Sequence, residues 1–432
     1  MSNENFDLIV VGAGPAGLAA AYTAAKGGLK VLVLERGEYP GAKNVMGGVL
    51  YRQPTEEIIP EFWRQAPLER PVVEQNYWLM TPDSAIKMGY RTRSFGVEPY
   101  NSFTVLRARF DRWLGKQAEA AGALLITETV VKDLIFLNGK VVGVQTDRPQ
   151  GDVYAPLVIL AEGVNSLLAQ KARLLNEIPP EHLAVAVKEI ISLPAETIES
   201  RFGLEPGQGA VFELIGDPTL GMMGTAFLYT NKDSLSIGVG TVLSQLVKKK
   251  VNPNDLLERL KAHPAIRPLI QGGEVKEYLA HMIPEGGYDA VPKLCIPGLM
   301  VAGDAAMLVN SIRREGSNLA MISGKLAAMT ALDCFKTGDF SINMLESYPK
   351  RLAESFVLKD LKQYRHAARL FEENPHYFEQ YPELADQLLR DFFTVDSIPK
   401  KDKQKQMLAK VRQRRTLGQI VLDMFRGWRG LA

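Results

Sequence analysis

Gly12, Gly14 and Gly17 stand in the spacing G-x-G-x-x-G, with Pro15 and Ala16 between them, and Glu35 closes the next apolar run. That set suits the pyrophosphate and ribose of a dinucleotide. Gly12 permits a tight turn, Gly14 lets the backbone approach phosphate oxygens, and Gly17 lets a helix pack close to a strand. The phosphates rest on the unpaired N–H groups and positive dipole end of that helix. Glu35, about twenty residues on, accepts hydrogen bonds from an adenosine ribose. Such glycines alone also occur in ordinary turns. Here a buried strand (Asp7 to Val11), the glycines, an alanine-rich helix through Lys26, a second strand (Lys30 to Leu34) and the acid come in order.

After Glu35 a glycine-rich loop carries Arg36, Lys43, Asn44, Gly47 and Gly48, and its backbone can lie against a flat ligand. Gly316, Ser317 and Asn318 open a late helix whose N–H groups suit negative charge on a bound ring. Two apolar, glycine-containing segments, Gly221 to Gly224 with Met222 and Pro284 to Tyr288 with Gly286, Gly287 and Tyr288, allow close approach of a planar ring. No acid–base constellation and no metal-like spacing stands out. His182, His263, His281, His366 and His376 read as surface or packing residues, Asp111 as a helix N-cap, and Asp133 and Glu189 as surface or fold-supporting charges. Gly238-Val239-Gly240 lacks its third glycine, so there is no second complete fingerprint and no built-in nicotinamide domain is expected.

The chain has 432 residues, enough for two or three domains. A net charge of +2 carries no polyanion-binding signature, so no nucleic acid is expected. Cys295 and Cys334 cannot build a disulfide framework or a four-thiolate cluster cage. The first residues lack a basic n-region, and no apolar run is long enough to span a bilayer. The expected location is therefore cytoplasmic, with peripheral contact on the inner face of the cell membrane. At the C-terminus, a basic run (Lys400, Lys401, Lys403, Lys405, Lys410, Arg412, Arg414, Arg415) precedes Leu417, Ile420, Val421, Met424, Phe425 and Trp428 at helical spacing. Such a stripe suits a membrane interface or a partner subunit.

The organisation that follows is α/β. A Rossmann-like, doubly wound domain over residues 1–75, 102–172 and 296–335 holds the dinucleotide. An inserted antiparallel β-sheet domain (76–101 and 173–295) faces the substrate. A helical C-terminal region (336–432) ends in the basic amphipathic tail. Residues 51–101 read as an irregular insertion with short strands. Asn138-Gly139 marks a hairpin between Val130–Phe136 and Val141–Thr146.

Four separated segments then resemble the FAD-binding signatures of the glutathione-reductase-2, or hydroxylase-type, flavoproteins: Gly12 to Gly17 with Glu35, Arg107 with Phe110-Asp111, Ala161-Glu162-Gly163 with Ser166, and Gly303-Asp304. The resemblance implies FAD as cofactor, with Ala161, Gly163 and Gly303 facing it. It also implies Asp304 on the ribityl or pyrophosphate region, Arg107 near the phosphates, and the Val130 backbone near the adenine. Val187 to Ile190 with Leu193-Pro194, Ile198 to Phe202, Ile283 to Gly287, Arg314 to Met321 and Ser355 to Leu361 are similar to the electron-transfer flavoprotein:quinone oxidoreductases and their FixC-type relatives. That likeness runs from about Asp7 to His366.

It implies electron transfer from an electron-transfer flavoprotein with alpha- and beta-like subunits to a quinone, within a FixABCX-like complex of a kind able to bifurcate electrons. The chain departs from the family twice. Met307 follows Gly303-Asp304-Ala305-Ala306 where the family usually has glycine. The ferredoxin-like domain with four cysteines, found in the longer quinone oxidoreductases, has no counterpart, so an iron–sulfur cluster is expected on a separate ferredoxin-like subunit. Rival readings are a geranylgeranyl-reductase-type enzyme acting on isoprenoid lipid, an aromatic hydroxylase using NAD(P)H and oxygen, and a flavin-stabilised assembly subunit.

Overall fold

A computed structural model describes residues 6–43 and 46–431. Its chain divides into two compact units. The first comprises Met1–Glu69, Pro99–Leu183 and His281–Lys362, the second Arg70–Glu98, Ala184–Ala280 and Gln363–Ala432.

The first unit is built on short, wholly apolar strands. β1 (Leu8–Val11), β2 (Val31–Leu34), β3 (Leu124–Ile126) and β4 (Leu157–Leu160) are joined by the two-residue β5 (Cys295–Ile296) and by β6 (Leu299–Val301). The sheet order is β5-β6-β4-β1-β2-β3, parallel except for β5. Leu8, Ile9 and Val10 are fully buried, as expected of parallel strands covered on both faces. α1 (Pro15–Lys26), α2 (Arg107–Ala120) and α3 (Ser317–Thr337) pack in the same unit. A three-stranded antiparallel sheet (Val131–Leu137, Lys140–Thr146, Asp152–Tyr154) follows β3. Its first turn is Asn138-Gly139, both left-handed (φ 51° and 77°), the geometry a two-residue hairpin needs.

The second unit is mainly antiparallel. In order, the strands are Glu274–Pro284, Leu183–Ser192, Ser234–Val242, Gly224–Thr230, Gly209–Gly216 and Leu68–Met80. Arg70 is buried within it, donating to the carbonyls of Asn231, Lys232 and Gln208 and pairing with Glu199. The helix Pro253–Ala262 is capped by Asn252 with Pro253 at its first position, as its sequence indicates.

Three expectations need correction. Residues 51–101 are not an irregular insertion: Leu68–Met80 is a thirteen-residue strand, hairpinned to Ala85–Arg91. Proline at position 71 misleads there, because a strand near its start tolerates the missing donor. Asp111 is not an N-cap. α2 begins four residues earlier, after Leu106, and Asp111 is wholly buried inside it.

The helical C-terminus is also not one unit. Up to Lys362 it belongs to the first unit, where Leu345, Tyr348, Leu352 and Leu361 join the core and the Tyr348 hydroxyl donates to the Val301 carbonyl (2.8 Å). From Gln363 it belongs to the second, where Ser84 donates to Asp386. Helical periodicity identifies the segments but not which core each face meets.

Candidate functional site

The site begins at the turn between β1 and α1. Gly12 is left-handed (φ 100°), and a Cβ there would lie 2.3 Å from the Ala161 carbonyl oxygen. Only glycine fits at position 12, where the chain passes the residue that follows β4. A Cβ on Gly17 would lie 1.9 Å from the Gly12 oxygen, whereas one on Gly14 would meet nothing within 4 Å. The open space at Gly14, at the N-terminus of α1, is where a pyrophosphate can approach the backbone. Glu35 is anchored from both sides: its Oε2 accepts the Ala13 N–H (2.8 Å) and its Oε1 the Gly37 N–H (2.6 Å). The carboxylate thus ties the phosphate turn to the end of β2 and keeps lone pairs for a ribose.

Arg107 organises the next part. Its Nε and Nη2 donate to both Asp111 oxygens (2.8 Å each), and its Nη1 donates to the Met46 carbonyl (3.1 Å) and the Ser317 hydroxyl (2.9 Å). Burial raises the Asp111 pKa, and the guanidinium in two-point contact pulls it down. Arg107 therefore acts as a bracket, holding the loop at Met46–Gly48 and the start of α3 on one guanidinium. Gly47 fits tightly there, since a Cβ would lie 3.1 Å from Ser317 Oγ and 3.2 Å from Arg107 Nη1.

Asn318 is engaged too. Its amide exchanges hydrogen bonds with the Tyr51 backbone and donates to the Thr55 hydroxyl. What α3 offers a ring is the backbone at its Gly316 cap, where an added Cβ would meet only Val309 at 3.7 Å.

Gly303 is left-handed (φ 67°), donates to Ser323 Oγ (2.9 Å), and leaves only 2.8 Å between an added Cβ and that of Ala16. Burial pushes the Asp304 carboxyl up to about 6, with Arg107 opposing. Because this folded-state value lies above the ordinary 3.8, the folded apoprotein holds a proton that the unfolded chain has released. Stability from this group is present below about pH 4 and is lost as pH rises through about 6. Asp304→Asn apoprotein is therefore expected to gain urea resistance relative to the wild type between these pH values. A pH-independent difference would contradict the burial of this carboxyl.

Other expected positions are less central. Arg36 and Lys43 are exposed, and Gly48 is buried; Asn44 lies outside the described residues. Both backbone groups of Val130 already bond to Asp147, so an adenine would compete for them. Gly163 is left-handed (φ 78°), and Ser166 closes the turn by donating to its carbonyl. Met222 is a core residue of the second unit, 1% exposed. Gly286 packs on the His182 ring, and Gly287 is left-handed, leading into Tyr288. Met307 is also left-handed (φ 59°) and buried, a backbone conformation that glycine adopts without steric cost.

Sequence reasoning missed Gly41, Ser323, Gly324 and Glu285. Gly41 packs against Asp111, and Gly324 lets α3 touch α1, since a Cβ would lie 2.0 Å from the Ala16 carbonyl oxygen. For Gly324 the available signal was a glycine kept inside a helical run. Glu285 stood inside the segment Pro284 to Tyr288, but nothing in the sequence singled out its carboxyl. Burial lifts its carboxyl to about 7, against a hydrogen bond from Ser311.

Open space at Gly14 before α1, the carboxylate of Glu35 anchored at the end of β2 and a helix N-terminus bracketed by Arg107 suit a dinucleotide, and the chain is an FAD-dependent oxidoreductase. Residues 7–170 match the FAD dependent oxidoreductase family, and residues 367–431 match the ETF-QO/FixC family C-terminal domain. Protein FixC of Azotobacter vinelandii is 49% identical over 430 residues, 99% of each chain. Protein FixC of Azorhizobium caulinodans is 46% identical, covering 99% of this chain and all of its own. The chain belongs to the FixC family.

Among solved structures, a geranylgeranyl bacteriochlorophyll reductase-like protein from Thermoplasma acidophilum shares the fold (TM-score 0.73, 21% identity, 96% and 97% of the two chains). So does the myxobacterial chondrochloren halogenase (TM-score 0.65, 20% identity, 96% and 91%).

Proposed function

We propose that this flavoprotein takes electrons from an electron-transfer flavoprotein and delivers them to a quinone at a membrane surface. In this reading it is the flavin subunit of a complex with alpha- and beta-type flavoprotein chains and a separate ferredoxin-like subunit, of a kind able to bifurcate electrons. The observation that carries the reading is the near-half identity to FixC proteins along almost the whole chain, with a C-terminal domain of the family shared with ETF-QO.

The bound flavin supplies two-electron and one-electron redox chemistry. The chain's own residues hold and orient it. The turn at Gly14 takes the pyrophosphate, Glu35 the ribose, and Asp304 the ribityl or pyrophosphate region. The N–H groups after Gly316 take charge at the pyrimidine edge of the ring.

Reduction of a quinone consumes protons, and Glu285 adjoins the Gly286–Tyr288 segment. With its carboxyl near 7, it holds a proton part of the time at neutral pH and can release it to an acceptor oxygen.

The test is anaerobic mixing of FAD-loaded protein with a reduced electron-transfer flavoprotein and a short-chain quinone, following quinol formation. Co-purification with two flavoprotein chains and a cysteine-rich small chain is expected alongside. Oxygen consumption with NAD(P)H, or saturation of isoprenoid lipid with dithionite, would replace this reading by a hydroxylase or a reductase. Tyr288→Phe is expected to slow quinone reduction about three- to tenfold, the value of one neutral hydrogen bond, with FAD content unchanged. Full activity removes Tyr288 from the quinone site.

A further inference from the structure

Where β6 ends the chain turns sharply, and each buried backbone group there needs a partner. The Val301 N–H donates to the Leu294 carbonyl (2.9 Å) and the Ala302 N–H to the Leu160 carbonyl (2.9 Å), so both still follow the sheet. The next donor, the Gly303 N–H, has left it. Gly303 is buried, and its partner is a side chain from α3: Ser323 Oγ at 2.9 Å, 20 residues further on.

Ser323 is oriented before the turn reaches it. Its hydroxyl donates to the Ala320 carbonyl one turn back (2.7 Å), a bond that serine commonly makes inside helices. That bond spends its hydrogen, so toward Gly303 it presents lone pairs. Ser323 is fully buried, and water cannot stand in for it.

Two further contacts fix the same turn. The Tyr348 hydroxyl, also fully buried, donates to the Val301 carbonyl (2.8 Å) and lies within hydrogen-bonding reach of Ser323. On the α1 side, Ala16 leaves no room beside Gly303, and the residue after Ser323, Gly324, packs on the Ala16 carbonyl. Among these fixed points one residue keeps some exposure. Asp304 is half-buried, whereas Gly303, Ala305 and Ala306 are buried.

We propose that Ser323, backed by Tyr348, is a positioning residue for FAD: it fixes the Gly303–Asp304 turn and thereby aims the Asp304 carboxyl at the bound cofactor. Without the Ser323 oxygen the Gly303 N–H is left buried and unpaired, which is costly. The turn then shifts toward another acceptor, and Asp304 moves with it.

This inference rests on the placement of Asp304 proposed above, and a double-mutant cycle separates the two. Apoprotein of the full chain is titrated with FAD. Ser323→Ala is expected to raise the Kd about tenfold, as loss of one buried hydrogen-bond partner does. Asp304→Asn is expected to raise it by about the same factor. The double variant is expected to bind FAD no more weakly than Asp304→Asn alone, because the serine acts through the carboxyl it aims. Thr330→Val removes another buried hydroxyl of α3 and is expected to leave the Kd unchanged, although it lowers stability.

Factors that multiply in the double variant overturn the proposal and make Ser323 a packing residue. So does an unchanged Kd for Ser323→Ala, or an equal loss of affinity in Thr330→Val. An unchanged Kd for Asp304→Asn alone overturns the placement of Asp304, and with it the route from Ser323 to the cofactor. Should Ser323→Ala not fold, Tyr348→Phe carries the same cycle, since it keeps the ring in the core and removes only the hydroxyl at the Val301 end. It is expected to raise the Kd about threefold by itself and not at all beside Asp304→Asn. Multiplying factors there overturn the proposal equally.

Discussion

Gly324→Ala is expected to lower the melting temperature and strip most of the flavin, although helix propensity alone predicts the reverse. Alanine inside a helix is favoured over glycine by about 1 kcal/mol. Gly324, however, lies where α3 crosses α1, and the added Cβ would stand 2.0 Å from the Ala16 carbonyl oxygen. That oxygen belongs to the backbone of α1, so no rotamer change relieves the clash. α3 must move away, carrying Gly316 and Ser317 from the position Arg107 holds.

Overpacking of this kind costs about 1–3 kcal/mol. The larger loss should fall on FAD, because the turn at Gly14 and the N-terminus of α3 shift against each other. The ratio of flavin absorbance to protein absorbance after purification is expected to drop about tenfold or more, with apoprotein melting lowered by several degrees. A variant that melts higher and retains FAD would show that α1 and α3 do not approach this closely.

Asp111→Ala is expected to cost about 3–5 kcal/mol, because it leaves the Arg107 guanidinium buried without its counter-ion. Arg107 is 4% exposed and Asp111 fully buried, so water cannot take over. The urea midpoint of the apoprotein measures the loss. In the double variant Arg107→Met with Asp111→Leu, most of the stability should return, as apolar replacements of buried pairs are often neutral. FAD affinity should not return, since the bracket between Met46, Ser317 and α2 is gone. Equal recovery of both properties would make the pair a packing element with no bearing on the cofactor.

Much of the first unit was legible from residues 7–36 alone. The glycine spacing, the buried apolar runs and the terminal Glu35 act over short range, and each limits backbone conformation or burial directly. The hairpin at Asn138-Gly139 and the Asn252 cap were legible for the same reason. The strand Leu68–Met80 was not, because edge and central strands differ in what they pair with, not in their own residues. Asp111 was misassigned because an aspartate after an apparent strand–helix junction has the composition of a cap. Only the fold reveals that the helix begins earlier and that Arg107 lies one turn away.

By itself the sequence determined the dinucleotide cradle, the order of α/β and antiparallel segments, and the amphipathic character of the last helix. These are periodicities and local turn requirements written along the chain. Tertiary structure alone decided that Arg107 brackets α3 and that desolvation lifts the carboxyl of the half-buried Glu285 to about 7. It alone decided that the helix Leu417–Leu431 turns Asp423 inward and its tryptophan outward. Each of these depends on residues far apart in sequence meeting in a space of low dielectric. There a charge's partner and the water it lacks set its chemistry.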